Sequence, residues 1–99
     1  MKTITICGSM KFAEQMKHIA WKLEIEQGFN VLQCVYNECN EPITADALKQ
    51  LTLAHYKKID LSDAVYIVDI DNYIGASVEQ EILYATQSGK EIIFHSNKL

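Results

Sequence analysis

Two glutamates, Glu79 and Glu81, follow the most strand-like run of the chain, in the stretch DNYIGASVEQEILYATQSGKEIIF (residues 71–94). They fall in the first two turns of a helix, about 200° apart at 3.6 residues per turn, so they face different sides. Open parallel α/β sheets bind ligands at the carboxyl ends of their strands. An ionised carboxylate in such a cleft can attack an anomeric carbon. The alternative interpretation is the acidity common at helix starts, which the helix dipole favours.

Other titratable side chains lie near the same expected crevice. His55 falls on the apolar side of its helix with Ile59, which suits either a proton donor or a partly buried, hydrogen-bonded histidine. Asp69 and Asp71 follow the strand of residues 64–70 at its carboxyl end, where a carboxylate can contact a sugar hydroxyl. Tyr73 is the best placed of the five tyrosines, because it lies in the turn before the glutamates.

The segment CGSMK ends one strand and begins a helix. Gly8 allows close approach of a backbone, Ser9 adds a hydroxyl and Lys11 adds a positive charge. With the free N–H groups of the helix, these residues form a candidate cradle for an anion or a sugar phosphate. The pattern is neither GxGxxG nor a Walker A loop. An ordinary strand-to-helix turn capped by Ser9 is the alternative.

Composition narrows the class of protein. The chain has 99 residues, so we expect one domain, residues 1–99. A net charge of −4 without a basic stripe argues against a nucleic-acid partner, and no apolar run approaches the ~20 residues of a membrane span.

An odd cysteine count (Cys7, Cys34 and Cys39) without close pairing indicates free thiols in a reducing compartment, hence the cytoplasm. The cysteine spacing matches no zinc motif, so we expect no metal and no cofactor.

Short apolar runs alternate with helical patterns along the chain. The order β-α-β-α-β-α-β is typical of a parallel sheet with helices on both faces. We therefore predict a single three-layer α/β domain, Rossmann-like or flavodoxin-like, with a four-stranded parallel sheet in the order 2-1-3-4. Its ligand crevice would lie between the first and third strands. The expected strands are residues 3–9, 29–36, 64–70 and 91–96, and the expected helices are residues 10–27, 45–63 and 77–88.

Two helix boundaries carry a specific prediction. Thr44 or Asp46 is expected to cap the second helix. Ser77 is expected to begin the third helix, with Gln80 as its capping-box partner.

The segments TICGSMKF and DLSDAVYIVDIDNYIGASVEQEILYATQSGKEIIF, with the element order between them, resemble the nucleoside 2-deoxyribosyltransferase superfamily. The resemblance is closest to small bacterial and phage proteins with a GYIG-ES-type turn, and the superfamily includes deoxynucleoside 5′-monophosphate N-glycosidases. In these enzymes a glutamate in an E-L-G-x-A segment attacks C1′ of the sugar. That segment matches EILYA, so the resemblance gives Glu81, and not Glu79, the nucleophile's place. The turn that binds the nucleotide's 5′ end maps to Gly8 and Ser9.

The chain departs from the family pattern at three places. Thr5 stands where the enzymes carry a tyrosine on the first strand. His55 stands where they carry an aspartate on the second helix, and the turn before the glutamate is about two residues longer. His55 is the candidate replacement as acid towards the leaving base, and Tyr73 is the candidate to orient Glu81.

The resemblance implies cleavage or transfer at the N-glycosidic bond of a (deoxy)nucleotide or nucleoside. A non-catalytic nucleotide-binding module that uses the same cleft is the alternative. Small members of the superfamily commonly pair, so we expect a homodimer, which would also cover apolar helix faces. The expected catalytic residues are Glu81, His55 and Tyr73, and the expected substrate-binding residues are Gly8, Ser9, Lys11, Asp69, Asp71, Gly75 and Ser77.

Overall fold

Strands and helices alternate along the chain in the computed structural model, which describes residues 1–97. Short 3₁₀ turns follow β1, β3 and β4, at Met10–Phe12, Ile70–Asn72 and His95–Asn97. The strands are β1 (Thr3–Gly8), β2 (Asn30–Leu32), β3 (Ala64–Val68) and β4 (Glu91–Phe94). The helices are α1 (Ala13–Gln27), α2 (Ala45–Asp60) and α3 (Ala76–Gln87).

The four strands form one parallel sheet in the order β2-β1-β3-β4. β1 and β3 pair over five residue positions, from Ile4 opposite Ala64 to Gly8 opposite Val68. The predicted α/β fold and strand order are therefore confirmed. The order of connection reverses between β1 and β3, so their carboxyl ends mark the point where such sheets open a crevice.

Helices cover both faces of the sheet. Ile4 and Ile6 of β1 pack with Met16, Ala20 and Leu23 of α1 on one face. On the opposite face, Cys7, Val65 and Ile67 pack with Ile59 of α2 and with Val78 and Ala85 of α3. Alternate residues of a strand point to opposite faces, so neighbouring residues of β1 serve different layers. The fold is a three-layer, doubly wound α/β domain.

Helix ends follow local chemistry, with one departure from expectation. Thr44 caps α2, because its hydroxyl accepts a hydrogen bond from Ala47 N at 3.0 Å. Gly28 ends α1 in the left-handed region at φ 72°, which costs glycine little. The capping box expected from Ser77 and Gln80 is wrong: α3 begins at Ala76 with Gly75 as its N-cap and no side-chain cap.

The second strand is shorter than predicted. It covers Asn30–Leu32 instead of residues 29–36. It lies at the sheet edge and has only β1 as a neighbour. Beyond it, the carbonyl of Gln33 accepts a hydrogen bond from Lys58 Nζ at 2.8 Å. A lysine of α2 thus occupies the backbone acceptor that would pair with a neighbouring strand if β2 were longer.

None of the helices in residues 1–97 combines the length and apolar composition needed to cross a bilayer.

Candidate functional site

A cavity of about 450 Å³ opens where β1 meets α2 and α3. It lies at the carboxyl end of β1, beside the point where the strand order reverses. Its polar lining includes Gly8, His55, Lys58, Ser77 and Glu81. Much of the remaining wall is apolar, contributed by Met10, Val35, Ile43, Leu48 and Leu51. An apolar cleft with a few convergent polar groups is the usual form of a small-molecule site.

Glu81 and His55 face each other in this cavity from two different helices. Glu81 Oε1 lies 3.1 Å from His55 Nε2, and the two side chains are 15% and 13% exposed. Glu81 is in the second turn of α3, whereas Glu79 occupies the first turn and is exposed. The helix dipole acts mainly within the first turn, so it benefits Glu79 more than Glu81. The hydrogen bond to His55 is therefore the stronger local influence on Glu81.

Cys7 completes a compact group with these two residues. Its Sγ lies 3.5 Å from the same Nε2 of His55. Burial, and then the charge and hydrogen bonding of Glu81, raise the pKa of the Cys7 thiol well above its ordinary value. The thiol is thus protonated at neutral pH. The other ring nitrogen of His55, Nδ1, is buried and has no hydrogen-bond partner in residues 1–97.

No sequence motif predicts that Cys7, His55 and Glu81 lie together. Cys7 is 48 positions from His55, and His55 is 26 positions from Glu81. Each residue comes from a different element, namely β1, α2 and α3. Only the sheet order and the shared face of the two helices bring them together. The position of Cys7, one residue before the strand ends, was the one available indication.

Gly8 has a packing role in addition to lining the cavity. A Cβ at this position would lie 2.9 Å from Met16 Sδ and 3.1 Å from the Cβ of Val68. Both distances are shorter than ordinary van der Waals contact, so a methyl group here would have to displace the Met16 side chain of α1 and press on Val68 of β3.

Ser9, Lys11 and Tyr73 form a separate surface beside the cavity, and none of them lines it. Ser9 caps the 3₁₀ turn by accepting a hydrogen bond from Lys11 N at 3.3 Å. Lys11 Nζ lies 3.3 Å from the ring centroid of Tyr73, a cation–π contact. Tyr73 also meets Phe12 edge to face, with ring centroids 6.0 Å apart. Lys11 and Tyr73 thus contact each other outside the cavity, whereas His55 is the residue that contacts Glu81.

Asp69 and Asp71 lie at the end of β3 but outside the cavity lining. Asp69 is buried and accepts hydrogen bonds from Ser96 N at 2.8 Å and Ser96 Oγ at 2.6 Å. Burial alone raises the pKa of Asp69, but these hydrogen bonds outweigh it and hold the pKa below its usual value. Asp71 is exposed and adopts a left-handed backbone at φ 55°. Asp69 thus joins two chain segments, and Asp71 shapes a turn.

Gly75 and Ser77 flank the start of α3. Gly75 is the N-cap, with an ordinary φ of −79°, and Ser77 lines the cavity together with Gln80. The hydroxyl of Ser77 and the amide of Gln80 are therefore available to a ligand on the same helix as Glu81. Gln80 was not among the expected site residues.

Thr5 stands at the position where the resemblance led us to expect a tyrosine. Its side chain is fully buried, and its Oγ1 lies 3.0 Å from the carbonyl oxygen of Lys58 and 2.5 Å from Ser62 Oγ. The residue ties β1 to the end of α2, below the cavity. A tyrosine would not fit in this closed space. Thr5 is a structural residue in this chain.

Comparisons of the chain with protein-family models, with curated proteins and with solved structures found no match.

Proposed function

We propose that the cavity binds a nucleoside or nucleotide and that Glu81 cleaves or transfers at its N-glycosidic bond. The observation that carries the proposal is the nearly enclosed carboxylate of Glu81, hydrogen-bonded to His55 inside an otherwise largely apolar cavity. The resemblance to the nucleoside 2-deoxyribosyltransferase superfamily supports it, because the matched segment EILYA gives Glu81 the nucleophile's place.

The proposed reaction has two steps. A carboxylate oxygen of Glu81 attacks C1′ of the sugar as the C1′–N bond breaks. The electron pair of that bond goes to the base, which takes up a proton and leaves, and the sugar remains as an ester of Glu81. Water or a second base then attacks C1′, loses a proton and restores the carboxylate. Hydrolysis and transfer differ only in this second nucleophile.

His55 is the proton donor that the proposal requires. It is the only histidine among the residues that line the cavity, and an imidazole can both donate and accept a proton. Its Nε2 also holds Glu81 Oε1 at 3.1 Å, which fixes the direction of the carboxylate. His55 thus stands in for the aspartate of the related enzymes.

The walls of the cavity suit the parts of a nucleoside. Leu48 and Leu51 of α2 line the cavity and are 58% and 36% exposed. They leave an apolar surface on which a base or sugar can lie. Lys58 is the ammonium that lines the cavity, whereas Lys11 contacts Tyr73. A 5′-phosphate bound inside the cavity would therefore be balanced by Lys58, with Gly8 close by.

A second candidate function is nucleotide binding without turnover. Glu81 is the only carboxylate among the residues that line the cavity. Retaining glycosidases normally use two carboxyl groups about 5–5.5 Å apart. Thr5 also replaces the family's tyrosine with a buried structural residue. A cleft with one carboxylate can hold a nucleotide through its walls and leave the glycosidic bond intact.

A screen for base release separates the two candidates. The purified protein is incubated with each nucleoside and 5′-monophosphate, deoxy and ribo, with and without an acceptor base, and free base is measured chromatographically. We expect release by the wild type, loss of at least about 10²-fold in Glu81→Gln, and full activity in the exposed control Glu79→Gln. A nucleotide-dependent rise in Tm without any base release would reject catalysis and establish the binding module.

We also propose a homodimer. Several large apolar side chains are exposed on the helices, among them Trp21 and Ile25 of α1, at 59% and 64%. Burying such side chains between two copies would stabilise a small domain. Light scattering after size-exclusion chromatography tests this directly, since a mass of one chain at micromolar concentration would reject the dimer.

A further inference from the structure

The three side chains Cys7, His55 and Glu81 converge on one point. Their potential ligand atoms all lie within 4.8 Å of one another, and this is the one such group of three among residues 1–97. We propose that this cluster binds a thiophilic divalent cation of the zinc class. The inference does not depend on nucleotide cleavage, because it uses only the positions and chemistry of these three groups.

The spacing of the ligand atoms is close to what such an ion needs. Zinc bonds of about 2.3 Å to sulfur and about 2.0–2.2 Å to nitrogen and oxygen, at tetrahedral angles, separate sulfur from nitrogen by about 3.6 Å and nitrogen from oxygen by about 3.3 Å. The structure has 3.5 Å between Cys7 Sγ and His55 Nε2, and 3.1 Å between His55 Nε2 and Glu81 Oε1. These two separations are each within a few tenths of an ångström of the values for a bound ion, and the Cys7 and Glu81 ligand atoms lie within 4.8 Å of each other, so a bound ion would draw that third pair closer together.

The pattern of contacts favours ligation over a catalytic triad. In a Cys–His–Glu triad, one ring nitrogen would face the thiol and the other would face the carboxylate. Here the thiol and the carboxylate both lie beside Nε2, and Nδ1 has no partner in the described residues. All three groups therefore meet on one side of the imidazole, which is how ligands surround a shared cation and not how a proton relay is arranged. A cation at the common point would satisfy all three groups together.

Charge balance points the same way. A divalent ion with one thiolate, one carboxylate and one neutral imidazole forms a neutral cluster. This matters because Cys7 is buried at 1% exposure and the other two side chains are nearly enclosed. Without the ion, the Cys7 thiol keeps its proton. Binding would displace that proton from Sγ to solvent, about one per ion, as thiolate ligation requires.

The donor set selects the class of ion. A thiolate and an imidazole prefer zinc and similar borderline or soft ions, whereas Mg²⁺ and Ca²⁺ prefer oxygen alone. Three protein ligands leave the fourth tetrahedral position open, and His55 and Glu81 border the cavity, so water or a ligand atom can fill it. Because Nδ1 lacks a partner, we expect an affinity about 10–100-fold lower than in sites where that nitrogen is held.

Cobalt serves as the spectroscopic probe for zinc. The metal-free, reduced protein is titrated with Co²⁺, and the sulfur-to-cobalt charge-transfer absorption is recorded. We expect a band that saturates at one ion per chain, disappears on adding Zn²⁺ and is unaffected by Mg²⁺. The band should vanish in Cys7→Ser and persist in Cys39→Ser, because Cys39 is an exposed thiol outside the cluster.

Further measurements keep the test decisive if Cys7→Ser folds poorly. Glu81→Gln retains the thiol and the imidazole, and should weaken cobalt binding at least about tenfold through loss of the anionic ligand. Calorimetry with Zn²⁺ in two buffers of different ionisation enthalpy should report release of about one proton per ion. A band that follows Cys39, or cobalt binding without any charge-transfer absorption, would overturn the proposal. A bound ion would occupy Glu81 Oε1 and His55 Nε2, so the base-release screen is run on the metal-free protein. The cobalt titration involves no substrate, and the two experiments therefore report separately.

Discussion

Both carboxylate oxygens of Asp69 are bound by Ser96, one by the backbone N–H at 2.8 Å and the other by the hydroxyl at 2.6 Å. The contact joins the end of β3 to the 3₁₀ turn that follows β4. Nearby, Tyr66 Oη lies 2.6 Å from His95 Nδ1. The carboxyl ends of two neighbouring strands are thus held together by side chains as well as by the sheet.

Asp69→Asn should destabilise the protein in a pH-dependent manner. The folded-state pKa of Asp69 is depressed, so its stabilising effect is complete above the unfolded-state pKa of about 3.9 and is lost as pH falls below that value through the lower folded-state pKa. We expect a loss of about 1.5–3 kcal/mol at pH 7. Urea unfolding of wild type and variant at pH 7 and pH 3 measures it.

The matched control for this prediction is Asp71→Asn. Asp71 is exposed and left-handed at φ 55°, a conformation that asparagine tolerates, so its free energy of unfolding should stay within about 0.5 kcal/mol of wild type. A difference between wild type and Asp69→Asn that stays constant from pH 7 to pH 3 would contradict the assignment of the effect to the ionised carboxylate.

Gly8→Ala should destabilise the fold by about 1–3 kcal/mol, because the added methyl group would meet Met16 and Val68 at 2.9–3.1 Å. Gly75→Ala is the comparison, since the nearest atom to a Cβ there is Tyr73 Oη at 3.5 Å and φ is ordinary. Its change should be within about 0.5 kcal/mol. Thermal and urea unfolding of both variants test the contrast, and equal losses would reject the packing explanation.

Thr5→Val keeps the shape of a fully buried side chain and removes its hydroxyl. The carbonyl of Lys58 and the hydroxyl of Ser62 each lose a neighbour, so we expect a cost of about 1–2 kcal/mol in the free energy of unfolding. Thr3→Val is the control, because Thr3 Oγ1 has only a solvent-exposed partner, Asn30 Nδ2, at 3.2 Å. If the two substitutions cost the same, the buried network is not a source of stability.

Thiol reactivity should separate the three cysteines. Burial, followed by Glu81, raises the pKa of Cys7, and burial raises that of Cys34, whereas Cys39 is exposed. A disulfide reagent at pH 8 should therefore modify one thiol rapidly and two slowly in the native protein. Stopped-flow absorbance measures the phases, and Cys39→Ser should abolish the fast one. Two fast thiols in that variant would show that the cluster is more open than described.

The fold could be predicted because its determinants are local. Each strand is predicted by a short apolar run, and each helix by apolar residues at helical spacing. Helix ends are predicted by residues such as Thr44 and Gly28. The strand order 2-1-3-4 was predicted by analogy with a common arrangement of doubly wound sheets, and the structure confirms it. The N-cap of α3 was misjudged because Gly75 and Ser77 are both acceptable N-caps, and the choice between them depends on tertiary contacts.

The candidate site was only partly predictable. Glu81 and His55 were expected near the crevice, and they share a hydrogen bond there. Their contact with Cys7 depends on how β1, α2 and α3 pack against one another, and no short sequence motif predicts that packing. Lys11 and Asp69 were expected to contact ligand, but they have found partners within the protein, in Tyr73 and Ser96. The sequence predicts that a polar residue lies at the carboxyl-terminal edge of the sheet, but it does not predict which neighbouring side chain that residue will contact.

The central place of β1 has a consequence for how the chain forms during synthesis. β1 is made before both of its neighbours, β2 and β3, and its pairing with β3 joins residues about 60 positions apart, from Ile4 with Ala64 to Gly8 with Val68. Ribosomes extend a chain at about 5–20 residues per second, so β1 waits several seconds for its second neighbour. Until then its apolar side chains are open to chaperones. Commitment to the native sheet is therefore a late event, set by the emergence of β3.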